Sequence, residues 1–128
     1  MLETENFRVN QDWETPIEGF FIVSSKKKER SVTDFSEREL IEFISLVKRV
    51  REAMKRVLSI KEVYLFQNED TEHGFHIWMF PRHQWMEKFG RNVQSVRPIM
   101  DYAEKEMCNN TNIVKVNKAI EAMKEHFR

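Results

Sequence analysis

Apolar positions recur along this chain in two rhythms. After Ser36 the spacing is three and four: Leu40, Phe43, Val47, Val50, Met54 and Val57 form one stripe, widened by Ile44 and Leu58. That spacing predicts an amphipathic helix running to about Leu58. Ser36-Glu37-Arg38-Glu39 fits a capping box at its start, with the serine hydroxyl taking a backbone N–H and Glu39 reaching back. A second stripe joins Val96, Ile99, Met100, Ala103 and Met107, with Pro98 tolerable in the first helical turn. Cys108-Asn109-Asn110 breaks it. Thr111 or Asn112 can then cap a last helix, in which Ile113, Val116, Ile120, Met123 and Phe127 repeat. This last seam is expected to pack on the chain's own sheet; a partner helix is the alternative.

The other rhythm has a period of two or is a short apolar run. Phe7 and Val9 suggest a short edge strand, and Thr15-Pro16-Ile17-Glu18-Gly19 reads as a turn. Phe20-Phe21-Ile22-Val23-Ser24 reads as a buried strand, and Val63-Tyr64-Leu65-Phe66 as another. A polar turn over Gln67–Thr71 leads to a strand over residues 74–80 that stops at Pro81. Alternation there puts His76, Trp78 and Phe80 on one face and Phe75, Ile77 and Met79 on the other. A strand, a short polar turn and a strand predict an antiparallel hairpin. The sum is an α+β domain: a small antiparallel sheet with one long helix and a C-terminal helical pair packed against it.

Composition narrows this picture. The chain has 128 residues, which is one domain by size and enough for a core without staples. Its 21 basic and 21 acidic side chains cancel, so nothing draws the whole molecule toward nucleic acid or anionic lipid, and self-association is not opposed. Cys108 is the only cysteine, so no intramolecular disulfide can form, and a reducing, cytoplasmic setting is the expectation. The polar N-terminus lacks the apolar core of a signal peptide, and no apolar run approaches the ~18 residues of a membrane span. The basic run Lys26–Arg30 reads as a solvated loop, or else as an anion-attracting rim.

Chemistry gathers in Glu72-His73-Gly74-Phe75-His76-Ile77-Trp78-Met79-Phe80-Pro81-Arg82. One imidazole on a strand, beside a large aromatic and ahead of a Pro-Arg turn, is a plausible reactive centre. This stretch resembles the signature strand of the histidine-triad (HIT) family of nucleotidyl hydrolases and transferases, His-φ-His-φ-His-φ-φ followed by Pro-Arg. With Pro81-Arg82 setting the register, the central histidine falls on His76, the first on Gly74 and the third on Trp78. Further stretches are similar: Thr15 to Val23 matches the family's entry to its second strand, Ser31 to Leu40 the approach to its long helix, and Gln67-Asn68 the polar turn before the triad. The resemblance spans roughly residues 7–85. Departures accompany it. Phe20 and Lys28 stand where members carry other histidines, and the hairpin turn is short.

The resemblance implies a HIT-like fold of about five antiparallel strands over residues 1–128, and a homodimer. It also implies nucleotidyl hydrolase or transferase activity at the α-phosphate of a nucleotide derivative, for example diadenosine tetraphosphate, through a nucleotidyl-histidine intermediate and without a cofactor or metal. His76 would be the nucleophile. Asp12, seven residues before Gly19, would meet the ribose; Gln67 and Asn68 would approach the phosphates; Gly74 would orient His76 through its main-chain carbonyl; Trp78 would stack on base or sugar; Arg82 would bind phosphate. Such a nucleophile needs a neutral imidazole with one nitrogen free and the other donating a hydrogen bond. Trp78 cannot act as an acid near neutrality, which leaves His73 and His83 as the nearest replacements. On a regular strand His73, an odd number of residues from His76, would face the other way. The alternative functions are a nucleotide-binding module with weak or no turnover, and a purely structural homodimer.

Overall fold

In the computed structural model, which describes residues 1–128, the hairpin lies inside a five-stranded antiparallel sheet of order β1-β2-β3-β5-β4. The strands are β1 (Leu2–Glu3), β2 (Phe7–Gln11), β3 (Phe21–Ser25), β4 (Val63–Gln67) and β5 (His76–Pro81). The helices are α1 (Glu37–Leu58), α2 (Val96–Glu106) and α3 (Asn110–Phe127), with short 3-10 segments at Val32–Asp34, Gln84–Phe89 and Val93–Ser95. No helix is long and apolar enough to cross a membrane.

Alternation divides the sheet into two faces. Phe7, Val9, Phe21, Val23, Phe75 and Met79 are buried on the α1 side, where they meet Phe43, Leu46, Val47, Val50 and Met54 of that helix. Phe75 holds this core at one end, edge-on to both Phe35 and Phe43. The opposite face carries a second core: Phe20 and Phe80 of the sheet against Met86 and, from α2, Val96, Ile99, Met100 and Ala103. The helices therefore lie on both faces.

Several local expectations are realised and several are corrected. The Ser36 capping box forms, with Ser36 Oγ accepting from Glu39 N and Glu39 Oε1 accepting from Ser36 N. β2 is an interior strand, because the two-residue β1 pairs with its outer side. Ile44 is 62% exposed: it lies outside the arc of α1 that the sheet can cover. The cap of α3 is Asn109, whose Oδ1 accepts from Asn112 N. Asn112 is instead buried and donates to the carbonyls of Pro16 and Met107, tying α3 to the β2–β3 connection. The α3 seam packs chiefly along α1, with Met123 reaching the first core.

Candidate functional site

The second face is only half covered. Cross-strand pairing sets Ser24 opposite His76 and Ile22 opposite Trp78, and these four form the floor of an open cavity of about 440 Å³. Asp12 and Glu14 from the β2–β3 connection, Ser25, and the loop residues Thr71, His73 and Gly74 complete its walls with Phe75. The volume falls within the range of small-molecule sites, roughly 300–1,000 Å³. Neither lysine nor arginine lines it.

His76 opens β5 at the cavity floor. Its Nδ1 lies 3.0 Å from the Gly74 carbonyl oxygen. A carbonyl only accepts, so Nδ1 carries a proton, and in the neutral imidazole the Nε2 lone pair is left free. The two residues share this arrangement because residues 71–75 turn before the strand begins. Phe75 N donates to Glu29 O, and Ser25 N donates to Phe75 O, so the Lys26–Arg30 segment clamps the turn. Arg30 Nη1 adds bonds to the carbonyls of Glu69 and Thr71.

That turn corrects the expected orientation of His73. Strand alternation holds through Phe75 but does not carry back to His73, which lines the same cavity as His76. The two rings meet edge to face with centroids 6.2 Å apart and planes at 81°. His83 is elsewhere: its Nε2–H donates to the Glu18 carbonyl at 2.6 Å.

Asp12 sits at the other end of the cavity. Its amide donates to Phe20 O, four residues along β3 from Ser24 and hence roughly 13 Å from the His76 rung at 3.3 Å per residue. Gly19 permits the turn between, with φ at +80° and Ile60 Cδ1 only 2.5 Å from where a Cβ would stand. Asp12 Oδ1 accepts from the amides of Glu14 and Thr15, and Oδ2 has no protein donor. Burial pushes the Asp12 carboxyl above its ordinary pKa, the two amide hydrogen bonds opposing it. The cavity thus has a carboxylate end, suited to hydroxyl donors, and an imidazole end, suited to an electrophile or anion.

Trp78 marks the boundary between the open and covered halves. It packs edge-on against Phe20 and Phe66 while still facing the cavity. The structure thus brings together Asp12, Gly74, His76 and Trp78. It leaves three expected residues outside. Gln67 stands opposite Ile77, on the α1 face, and its amide bonds to Asn68 O; Asn68 is exposed in the turn. Arg82 is covered, its side chain 3% exposed and 3.6 Å from Glu87 Oε1, with no hydrogen bond to any guanidinium nitrogen. Glu14, Ser24, Ser25 and Thr71 were not anticipated. Ser24 was the readable one, since Phe21 and Val23 facing inward puts Ile22 and Ser24 on the other side.

Comparison of the sequence with protein-family models and with curated proteins finds no match. Comparison of the fold does. A HIT family protein from Bacillus anthracis superposes with a TM-score of 0.60 at 17% identity, covering 94% of this chain and 84% of that one. A Hit-like protein involved in cell-cycle regulation from Bartonella henselae gives 0.57 at 19% identity, with 92% and 83% covered. The C. elegans NitFhit protein gives 0.59 at 17% identity; 90% of this chain aligns, spanning 26% of that longer one. At these identities the likeness establishes the architecture: this chain has the fold of HIT proteins.

Proposed function

We propose that the chain is a nucleotidyl hydrolase or transferase in which His76 attacks the α-phosphorus of a nucleotide derivative, such as diadenosine tetraphosphate or a nucleoside phosphoramidate. One observation carries this reading: the His76 Nδ1–Gly74 carbonyl hydrogen bond, which in the neutral imidazole leaves the Nε2 lone pair free, on a residue that lines a nucleotide-sized cavity. Asp12 at the far end offers an uncommitted carboxylate oxygen to ribose hydroxyls, and Trp78 an aromatic surface beside them. Attack by Nε2 forms a P–N bond as the bond to the leaving group breaks; water or another acceptor then releases the nucleotide. No metal or cofactor is required by this chemistry.

The test is intact-protein mass spectrometry after brief incubation with a panel of adenine and guanine nucleotides and dinucleotides. A nucleotidyl mass addition, absent from His76→Ala, is the expected result. Failure of the wild type to form any adduct or product overturns the reading. A binding module without turnover is the second reading, favoured by Trp78, whose indole donates a hydrogen bond at a triad position but holds no acidic proton; it requires retained affinity in His76→Ala and no adduct. The family resemblance also implies a homodimer, compatible with either reading. The edge strand β4 presents Leu65, 50% exposed, on the α1 face, where Ile41 and Ile44 are also uncovered, and light scattering at micromolar concentration should return a dimer mass.

A further inference from the structure

The geometry points to His73 as the proton donor to the leaving group, and then as the base that activates the resolving water, in the reaction at His76. This inference rests on the reading above. A nucleotidyl transfer with a basic leaving atom needs an acid on the side of phosphorus away from the attacking nitrogen. No side chain at the Gly74 position can supply it, and Trp78 cannot. His83 is committed to the Glu18 carbonyl. Asp12 lies four rungs away along the sheet, and Glu14 belongs to the same distant β2–β3 connection.

His73 remains. It is exposed and lines the cavity, and its ring stands edge to face with that of His76 at 6.2 Å between centroids. The two imidazoles make no hydrogen bond to one another, so a phosphoryl group can engage both. The loop carrying His73 is anchored rather than free. Arg30 Nη1 donates to Thr71 O at 2.7 Å and to Glu69 O at 3.3 Å, and Phe75 N is tied to Glu29 O on the far side. A loop held at both ends presents its imidazole with less ordering to be done on substrate binding.

The Nε2 lone pair of His76 forms the P–N bond. The bond from phosphorus to the leaving atom breaks, its electron pair stays with that atom, and the pair takes the proton of the His73 imidazolium. Neutral His73 then accepts a proton from water as the water oxygen attacks phosphorus and the P–N pair returns to His76 Nε2.

Two AMP derivatives separate this role from the nucleophile's. p-Nitrophenolate departs from the p-nitrophenyl ester without a proton; a primary alkylamine departs from the corresponding AMP amidate only with one. The readout is the single-turnover rate of leaving-group release, with circular dichroism confirming the fold. His73→Ala should slow amine release more than nitrophenolate release by ~10²–10⁴-fold, the usual contribution of a general acid. His73→Gln, which keeps a hydrogen bond but transfers no proton, should match it. After the ester reaction the nucleotidyl adduct should persist longer in His73→Ala than in the wild type. Equal slowing of both substrates, no slowing, or a wild type that cleaves only the ester would overturn the role of His73 while leaving a His76 adduct intact. A wild type that forms no adduct and releases neither group sinks the nucleophile, and this role with it.

Discussion

Phe80 and His76 project from the same face of the same strand, four residues apart, and meet opposite fates. Phe80 is fully buried, edge-on to Phe20 and stacked on Tyr64 beneath the chain that runs from residue 84 to α2. His76 sits at the floor of an open cavity, opposite Ser24. The strand treats them alike; what differs is the cover. The segment Gln84–Glu106 is long enough to roof the Phe80 end and stops at Trp78. On this sheet the cavity is the part of the face left unroofed, and the imidazole there supports no covering layer.

Truncating each residue should separate the two ends of the strand. Phe80→Ala should cost about 3–5 kcal/mol, as large aromatic truncations in a close-packed core do. His76→Ala should change stability by no more than about 0.5 kcal/mol, the range of partly exposed positions, while removing the nucleotidyl adduct. Urea denaturation of the two variants checks this. A loss of several kcal/mol in His76→Ala would make the imidazole a structural residue.

The covered half was the more legible in the sequence. Helix α1, its capping box, the β4–β5 hairpin and the α2 stripe follow from spacing, because burial on one face imposes a period that a sequence displays. Of the open half, alternation marked His76 and Trp78, whereas Asp12 and Gly74 were readable only through their resemblance to a family pattern. His73 was legible as a nearby candidate acid but its direction was not, because that is set by a turn whose geometry depends on Arg30 and Glu29, some forty residues earlier in the chain. Ile44 and Arg82 mislead in complementary ways. An apolar residue in register on α1 is exposed because the sheet is narrower than the stripe, and an arginine after the last strand is buried because Gln84–Phe89 folds back over it.

Arg82 is the point at which the covered half can be tested next. Its guanidinium is buried with a single carboxylate at 3.6 Å and no hydrogen bonds, while Glu87 and Glu62 are both bridged by Arg91. A buried charge so weakly compensated is often replaceable by an apolar residue of similar length with no loss, or with a gain of roughly 1–4 kcal/mol. Arg82→Met should therefore melt at or above the wild-type temperature. It should also bind AMP as the wild type does, since Arg82 does not line the cavity. Weakened AMP binding would mean that this arginine reaches the phosphates after all.

The smallest expected effect lies at the far end of the open half, and its sign is fixed by the direction of one shift. Burial raises the folded pKa of Asp12 above its unfolded value. At a pH below both values the carboxyl is neutral in either state and exerts no pH-dependent penalty. As pH rises, the unfolded chain ionises first, so folding becomes progressively less favourable until the pH has passed the raised folded value. Asp12→Asn keeps an acceptor for the Glu14 and Thr15 amides but removes the charge. Its stability relative to the wild type should therefore grow from acid toward neutral pH and then level off, as followed by urea titrations across that range. The opposite slope would mean that the protein stabilises the carboxylate. A carboxylate held in this cavity at a cost is one that a hydroxyl-bearing ligand can relieve, and saturating AMP should shrink the gap between the two proteins at neutral pH.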